Sequence, residues 1–364
     1  MIVFFLPNLQ VGGAERVMLN LLIAYHKKHP TLDVVLLLGE KRGGFLDEIP
    51  SDIPIHVLNK KRGLVSIIPF VKFCKKYKPN LVFSTLGASV ATSLAKPFIS
   101  KDISIINRIG NTIGAEKFLY KNIIKRKAFI IANQLVATYS DHLIFQCEYM
   151  AKDYLHETKI TPASYSVIYN PVKVNHISKK ADENISTSYN LVAIGRLQPQ
   201  KDYSMLLKAC AYLKKNNINF NLAILGEGEL RNKIETEIQK LGISSQVKLL
   251  GYVKNPYPYI KHADYLVSSS IYEGFSNVII ESLCLGTPVI ATNCPGGNAE
   301  TIQDGLNGFL SKVSDAHDIA KTITLALNKK HIFDNDFIAE RAKNIYEDEV
   351  IFNAYDAIFS KYIN

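Results

Sequence analysis

The sequence has no tryptophan and few cysteines, and these absences exclude several kinds of protein. It contains five cysteines among 364 residues, an odd number, and none of them forms a C-x-x-C pair. That spacing argues against a disulfide framework, a zinc ribbon or a thioredoxin-like redox motif. Reduced and mostly buried thiols in a cytosolic protein are the simplest interpretation. The five are Cys74, Cys147, Cys210, Cys284 and Cys294.

Long apolar runs are also missing. No run reaches the roughly 20 residues that a membrane-spanning helix needs. The most apolar stretch, residues 81 to 95, is interrupted by five serines and threonines. Residues 1 to 6 lack a basic leader and are typical of a first strand rather than a signal peptide. We therefore expect a cytoplasmic protein with no membrane-spanning segment.

Metal-binding and hydrolase motifs are not evident either. His26 and His29 share a helix face, but such a pair is more often a solvated helix end than a metal site. Asp334 and Asp336 form a D-x-D pattern near the C-terminus, away from any predicted strand edge, which we interpret as surface. There is no G-x-S-x-G nucleophile elbow. The sequence predicts neither a metal site nor a serine triad.

The chain does have the composition of a folded protein with two domains. Apolar residues make up 47% and charged residues 21%, as in globular domains. Residues 1–185 hold 25 lysines and arginines against 14 acidic residues, whereas residues 186–364 hold 18 against 19. The whole net charge of +10 therefore comes from the first half.

Two basic clusters in that half alternate with bulky apolar residues. One runs from Lys60, Lys61 and Arg62 to Lys78, and the other lies between residues 117 and 127. This mixture suits an anionic membrane surface; the alternative is an ordinary amphipathic helix with a solvated basic face. No aromatic-basic platform supports nucleic acid. The predicted membrane-facing residues are Lys121, Lys125, Arg126 and Lys127.

Strand-like runs alternate with helix-period segments throughout, which predicts an α/β fold with parallel sheets. Each half opens with a strand, a glycine-containing loop and an amphipathic helix. Two facing Rossmann-like domains, with ligands bound at the carboxyl ends of the strands in an interdomain cleft, are the expected architecture. The predicted strands are Ile2–Leu6, 34–38, 55–58, 81–84, 103–107, 142–146, 190–194, 221–225, 247–250, 265–268, 289–291 and 308–310.

Domain boundaries follow from a fall in apolar content after Pro171. We predict a first domain at 1–170, facing acceptor and membrane, a linker at 171–189 and a nucleotide-sugar-binding domain at 190–344. The segment 345–364 has the apolar periodicity of a helix.

Residues 273 to 288 contain the most informative motif. Glu273 and Glu281 stand eight positions apart, with a small polar turn between them and an apolar helix start. A carboxylate in a loop ahead of a helix N-terminus suits a polyhydroxylated anion, because the helix end takes phosphate and carboxylates take hydroxyl groups. Arg196 and Lys201, which follow a predicted strand, could neutralise a diphosphate.

These motifs resemble those of retaining family 4 glycosyltransferases. The matching segments are 12–16, 195–201, 225–229, 288–297 and the E-x7-E frame of Glu273-Gly-Phe-Ser-Asn-Val-Ile-Ile-Glu281. The resemblance implies the GT-B fold, retention of anomeric configuration, no metal and no cofactor. It also implies that the last helix crosses back onto the first domain.

The resemblance assigns roles to individual residues. Arg196, Lys201 and Glu273 would carry catalysis, with Glu273 on the transferred sugar and Glu281 on the ribose hydroxyls. Gly226 would lie beside the nucleotide. The remaining donor-binding residues would be Gly12, Gly13, Tyr252, Val253, Gly274, Phe275, Ser276, Asn277 and Val278. Arg108 is added because it follows a predicted strand of the first half and would reach the donor sugar or its phosphate, although the family often has a histidine or another polar residue there.

The sequence thus predicts a glycosyltransferase that moves a hexose or N-acetylhexosamine from a UDP-sugar to a polyprenyl-diphosphate-linked saccharide. The setting would be bacterial surface-polysaccharide or glycan assembly on the inner face of the cytoplasmic membrane. One rival is a sugar-nucleotide 2-epimerase, which needs catalytic acids and a histidine that we do not find. Another is a non-catalytic partner that binds sugar nucleotide or lipid, which would not need Arg196, Lys201 and the two glutamates.

Overall fold

A computed structural model describes residues 1–10, 12–61, 63–329 and 333–363. Arg62, part of the first predicted basic cluster, lies outside the described residues. The chain divides into two compact units. The first unit comprises Met1–Pro171 together with the C-terminal segment from Glu349, and the second unit comprises Val172–Asp348.

The first unit is built on a seven-stranded parallel sheet. Its strand order is β3-β2-β1-β4-β5-β6-β7. Since β1 lies beside β2 on one side and β4 on the other, the order reverses between β1 and β4. The strands are β1 Ile2–Leu6, β2 Val34–Leu38, β3 Ile55–Val57, β4 Leu81–Thr85, β5 Ser104–Arg108, β6 His142–Phe145 and β7 Tyr165–Val167.

Helices connect these strands, as parallel pairing requires. Helices α3 and α5 pack against each other, and a short 3-10 helix at Gly63–Ser66 packs against α3 as well. The helices of the first unit are α1 Gly13–Lys28, α2 Ile67–Tyr77, α3 Gly87–Ala95, α4 Ile113–Glu116, α5 Ile123–Tyr139 and α6 Glu148–Thr158.

The core of the first unit includes residues from the end of the chain. The last helix, Asp348–Phe359, buries one face against β1, β4 and α1. The rings of Phe359 and Phe83 have centroids 5.0 Å apart, and those of Phe359 and Tyr25 are 5.4 Å apart. The four buried side chains of this helix are Ile351, Phe352, Tyr355 and Phe359.

The second unit repeats the arrangement with six parallel strands. Their order is β10-β9-β8-β11-β12-β13, so the reversal falls between β8 and β11. At such a switch point the loops that leave two neighbouring strands diverge, and a crevice opens at their carboxyl ends. The strands are β8 Leu191–Ile194, β9 Leu222–Leu225, β10 Val247–Gly251, β11 Tyr265–Ser268, β12 Val289–Thr292 and β13 Gly308–Ser311.

Eight helices of this unit cover the sheet or flank it. They are α7 Val174–Ala181, α8 Tyr203–Lys215, α9 Arg231–Lys240, α10 Tyr257–Lys261, α11 Asn277–Cys284, α12 Asn298–Thr301, α13 Ala316–Asn328 and α14 Asn335–Tyr346. Helices α8 and α13 pack together over one face, and α11 packs against α14.

The segments between the predicted domains are more ordered than the sequence suggests. Residues 171–189, taken as a linker, contain α7, which packs on α10 and α11. The C-terminal stretch predicted as one helix from residue 345 is divided, because α14 ends at Tyr346 and the last helix, α15, begins at Asp348. Two backbone hydrogen bonds hold the break: Val172 N donates to Tyr346 O at 2.7 Å, and Asp348 N donates to Val172 O at 2.9 Å.

The parallel-sheet α/β architecture confirms the predicted fold class. Every described helix is too short or too polar to cross a membrane.

Candidate active site

Lys201 and Glu273 meet at the switch point of the second sheet. Lys201 ends a 3-10 turn in the loop after β8, and Glu273 lies in the loop after β11. The Lys201 Nζ–Glu273 Oε1 distance is 2.5 Å, and the side chains are 20% and 9% exposed. Ser270 Oγ donates to the same carboxylate oxygen at 2.6 Å. A half-buried cation and a buried carboxylate are thus held together by charge-assisted hydrogen bonds.

Hydrogen bonds between the two loops fix this pair. Ile271 N donates to Gln200 O at 2.9 Å, and Gln200 Nε2 donates to Tyr272 O at 2.9 Å. Ser269 Oγ donates to the carbonyl of Lys201 itself at 2.6 Å. The backbone of Lys201 therefore cannot move independently of the loop that carries Glu273.

The loop after β8 begins with Gly195 and Arg196. Arg196 is exposed, and its carbonyl accepts a hydrogen bond from Gln198 N at 2.8 Å. Tyr203, at the start of α8, donates its hydroxyl to Gly195 O at 3.3 Å. Burial raises the pKa of Tyr203 first, and the nearby Glu273 carboxylate raises it further. Tyr203 is therefore a neutral hydrogen-bond donor at physiological pH.

The loop after β9 lies directly against the loop after β8. Gly226 has a φ of +148°, and a β-carbon there would stand 1.9 Å from Gly195 O. Leu197 N donates to Glu227 O at 2.9 Å, which joins the two loops. Only glycine fits at 226, because any side chain would force the two backbones apart. The position of Gly226 beside the nucleotide stays a prediction.

Tyr252 and Val253 follow β10 at the far side of the same sheet edge. Tyr252 is 69% exposed. The preceding Gly251 lies close to the Glu227–Arg231 ion pair, because a β-carbon there would stand 2.8 Å from Glu227 Oε1. The three loops that carry the predicted donor residues after β8, β9 and β10 are therefore neighbours.

The start of α11 contains the second half of the carboxylate motif. Ser276 occupies the N-cap position of this eight-residue helix with an extended backbone and no side-chain capping bond. Gly274, Phe275 and Ser276 are buried, whereas Asn277, Val278 and Glu281 are partly exposed. Phe275 packs on Tyr346, with ring centroids 5.9 Å apart. This packing fixes the entry of the chain into α11.

Sequence reasoning missed Ser270 and Tyr203. Ser270 is fully buried and binds the Glu273 carboxylate, while Tyr203 is 4% exposed beneath Gly195. The signal for Ser270 was the run of three serines that ends β11, since buried hydroxyls at a strand end require polar partners. Nothing in the sequence near Tyr203 distinguishes it from a core aromatic residue.

The predicted donor residues of the first unit lie at two places, the start of α1 and the end of β5. Gly12 is the N-cap of α1 and Gly13 begins it. Arg108, at the end of β5, is only 1% exposed, and its Nη2 donates to Asn170 Oδ1 at 2.5 Å. Its Nε and Nη1 are buried without a hydrogen-bond partner. Arg108 is therefore an interior residue of the first unit, and its contact with a donor stays a prediction.

The basic cluster from 117 to 127 lies on a 3-10 turn at Lys117–Leu119, the residues that follow it and the first turn of α5. Lys121, Lys125 and Lys127 are exposed, and the Arg126 guanidinium lies 4.8 Å from the Phe118 ring centroid. Exposed apolar residues surround these cations: Phe118 62%, Leu119 61%, Ile123 59%, Ile124 73% and Ile131 53%. A groove of about 460 Å³ is lined by Lys117, Phe118, Arg126, Lys127, Ile130, Ile131, Gln134 and Glu157.

The described residues contain no group of three or more histidine, cysteine or acidic side chains that could hold a metal. His26 pairs with Asp52 and His29 with Asp356, at 2.8 and 2.9 Å. Asp334 caps α14 by accepting a hydrogen bond from Phe337 N. His26, His29 and Asp334 are thus each paired with another residue of the chain.

Relatives in bacteria and archaea match most of the chain. It is 28% identical over 360 residues to an N-acetylgalactosaminyltransferase of Campylobacter jejuni that acts on N-acetylgalactosamine-N,N'-diacetylbacillosaminyl-diphospho-undecaprenol; the match covers 93% of this chain and 92% of that protein. An uncharacterized glycosyltransferase of Methanocaldococcus jannaschii is 31% identical over 288 residues, which cover 75% of this chain and 67% of the relative.

Solved structures share the whole fold at low sequence identity. Anabaena HepE in complex with UDP superimposes with a TM-score of 0.78 at 19% identity, covering 99% of both chains. The lipopolysaccharide outer core galactosyltransferase WaaB gives a TM-score of 0.78 at 20% identity, covering 99% of this chain and 100% of WaaB. Residues 176–345 match the family described as glycosyl transferases group 1. The chain has the GT-B fold and belongs to this family of glycosyltransferases.

Proposed function

We propose that this protein transfers a hexose or N-acetylhexosamine from a UDP-sugar to a hydroxyl group of an undecaprenyl-diphosphate-linked saccharide, with retention of anomeric configuration. The observation that carries the proposal is the Lys201–Glu273 pair at the switch point of the second sheet. Support for the acceptor comes from the names of two Campylobacter jejuni relatives, which act on diphospho-undecaprenol-linked saccharides. Support for the donor comes from HepE, which binds UDP and UDP-glucose.

The cations of the loop after β8 would assist departure of the diphosphate. Lys201 and Arg196 belong to this loop, and the N-terminus of α11 follows Glu273 by four residues. These groups would stabilise charge that develops only as the glycosidic bond breaks. Glu273 would hold the sugar hydroxyls and Glu281 the ribose diol.

We infer that the acceptor attacks on the same face as the departing diphosphate, because the groups around Glu273 that could act as nucleophiles are protonated or already paired. Cys294 is close enough to Glu273 to feel its charge, but burial, with a further contribution from that charge, raises the pKa of its thiol to about 12. Cys294 is therefore protonated and unreactive at neutral pH. Glu273 is engaged by Lys201 and Ser270. We infer that the leaving phosphate itself takes the acceptor proton, without a covalent intermediate or a metal ion.

The donor site is tested by the binding of UDP and GDP, measured by calorimetry in the presence of EDTA. We expect UDP to bind the wild type, and Glu281→Ala to weaken UDP binding at least tenfold, since each hydrogen bond to a charged group contributes about 1.5–3 kcal/mol. Glu340→Ala is the matched control, because Glu340 is exposed on α14. Equal affinity of Glu281→Ala and Glu340→Ala for UDP would exclude binding of the ribose hydroxyls by Glu281. If neither UDP nor GDP binds the wild type, the donor assignment is wrong and the non-catalytic partner is favoured.

Attachment to an anionic membrane through α5 is part of the proposal. Within α5 only Val136 and Ala137 are buried, so the apolar residues near its N-terminus face outward beside the lysines. An ordinary amphipathic helix would bury these apolar residues and expose only the basic ones. The mixed surface favours a bilayer with anionic lipids over a merely solvated helix. The inner face of the cytoplasmic membrane is the corresponding location.

Charge reversal tests this attachment. Each lysine or arginine near an anionic bilayer contributes about 1 kcal/mol, so Lys125→Glu, Arg126→Glu and Lys127→Glu together should abolish sedimentation with phosphatidylglycerol vesicles at low salt. The control carries the same charge change on exposed lysines of the second unit, Lys208, Lys215 and Lys233. Equal sedimentation of the two triple variants would contradict a membrane role for α5.

A further inference from the structure

The loop at 293–297, between β12 and α12, is hydrogen-bonded to the backbone that carries Glu273. Glu273 N donates to Pro295 O at 2.8 Å, and Gly297 N donates to Gly274 O at 2.9 Å. These bonds hold the peptide group that precedes Glu273 and the one that follows Gly274. The position of its Cα therefore depends on where the 293–297 loop lies.

Gly296 makes this close approach possible. Its φ is +132°, and a β-carbon at this position would stand 2.4 Å from Glu273 O and 3.0 Å from Gly274 O. Both atoms belong to the backbone, so no rotation of a flexible side chain could relieve the contact. Any larger residue at 296 must push the loop and the Glu273 peptide apart.

Buried polar side chains hold the loop from behind and reach the same carboxylate. Asn298 Nδ2 donates to Thr292 O at 3.0 Å and contacts Cys294 Sγ at 3.4 Å. Thr292 Oγ1 donates to Ser270 O at 2.5 Å, and Ser270 Oγ donates to Glu273 Oε1 at 2.6 Å. Asn298, Thr292 and Ser270 are each at most 1% exposed. A continuous series of hydrogen bonds thus runs from Asn298 to the Glu273 carboxylate.

We propose that the 293–297 loop sets the position of the Glu273 carboxylate, with Gly296 and Asn298 as positioning residues for sugar transfer. The proposal rests on the proposed function for the role of Glu273, but not for the coupling between the loop and that residue. A carboxylate that orients the donor sugar has to be held within about 0.5 Å. A misplacement of about 1 Å can cost 10²-fold in rate.

The test compares Gly296→Ala with Gly305→Ala. Gly305 also has a positive φ, +77°, but a β-carbon there meets nothing within 4 Å. Both variants place an alanine at a positive φ, and only Gly296→Ala adds a clash with the backbone of Glu273. Asn298→Ala is a second variant, since it removes the hydrogen bonds without a backbone clash and tests the proposal even where Gly296→Ala does not fold.

The first measurement is binding of UDP and of whichever UDP-hexose or UDP-N-acetylhexosamine the wild type binds most tightly. We expect UDP affinity to stay within twofold in all variants. The wild type should bind the UDP-sugar more tightly than UDP, and this difference should be lost in Gly296→Ala and Asn298→Ala but kept in Gly305→Ala. Transfer should be about 10²-fold slower in Gly296→Ala and Asn298→Ala. A general loss of folding would instead weaken the binding of UDP and of the UDP-sugar by the same factor.

The second measurement does not depend on the donor. Cys294 is 3% exposed, and displacement of the loop would uncover its thiol. We expect native-state alkylation by iodoacetamide to be at least tenfold faster at Cys294 in Gly296→Ala than in Gly305→Ala, with the other four buried cysteines as internal references. Unchanged alkylation together with unchanged UDP-sugar preference would overturn the proposal. Faster alkylation in a protein that binds no UDP-sugar would support the coupling and reject the proposed function.

Discussion

Replacement of Lys201 by alanine is expected to slow sugar transfer by about 10²–10³-fold, the usual cost of removing one group that stabilises developing charge. The structure adds a second effect that the sequence did not suggest. Glu273 is 9% exposed and would lose its cation. Breaking a buried pair by removing one partner costs about 3 kcal/mol, the lower end of the usual range, because Lys201 retains some solvent.

A double variant isolates the effect of Lys201 on stability. Lys201→Ala with Glu273→Gln removes the uncompensated charge, so the free energy of unfolding should return to near the wild-type value, whereas transfer stays slow because both residues belong to the proposed chemistry. Lys261→Ala is the matched control, since Lys261 Nζ lies 2.7 Å from Asp182 Oδ1 in a pair whose side chains are 41% and 68% exposed. Loss of that exposed pair should cost less than about 1 kcal/mol and leave the transfer rate unchanged.

Denaturant unfolding and initial transfer rates measure the two quantities on the same preparations. A transfer rate that recovers together with stability in the double variant would remove both Lys201 and Glu273 from the proposed chemistry. A rate within threefold of wild type in Lys201→Ala would remove this residue from the proposed chemistry.

Removal of the last helix, from Glu349 onward, is expected to unfold the first unit. The helix buries four large side chains, and each contributes about 1.5–3 kcal/mol. Their sum is comparable to the total stability of a domain, about 5–15 kcal/mol. Phe359→Ala is the single-residue form of the test. Phe359 is 1% exposed and lies among Phe4, Tyr25 and Phe83, so the change should cost about 3–5 kcal/mol.

Val350→Ala on the same helix is the control, because Val350 is 45% exposed and its truncation should change stability by less than about 0.5 kcal/mol. Limited proteolysis with mass mapping identifies the unit that opens. Cleavage within Met1–Pro171, with Val172–Asp348 still protected, is the expected pattern. Equal protease resistance of Phe359→Ala and Val350→Ala would mean that the helix contributes little to the core of the first unit.

Local sequence patterns predicted most of the fold. Every strand marked by an apolar, β-rich run is present within one or two residues of its predicted limits. The alternation with helical segments predicted parallel pairing, because parallel strands require crossover connections. Strand β7, Tyr165–Val167, was missed, since three partly exposed residues leave too short a pattern to recognise.

The site was predicted in part. The sequence marked Lys201 and Glu273, and both lie at the carboxyl ends of neighbouring strands. It did not predict that their side chains form an ion pair, because they stand 72 residues apart. Contact of Arg108 with a donor stays a prediction. Its position after a strand suggests such a contact, and in the structure its side chain is 1% exposed and donates a hydrogen bond to Asn170.

The sequence by itself determined which segments form strands and helices, and which loops carry glycines, carboxylates and cations, because these properties depend on neighbours a few residues apart. Only the tertiary structure decided which loops meet. The reversal of strand order between β8 and β11 brings Lys201 to Glu273, and the packing of the 293–297 loop then fixes that carboxylate through Gly296. The burial of Phe359 beside Phe4 likewise joins the two ends of the chain. Such contacts depend on sheet order and three-dimensional packing, which local periodicity does not record.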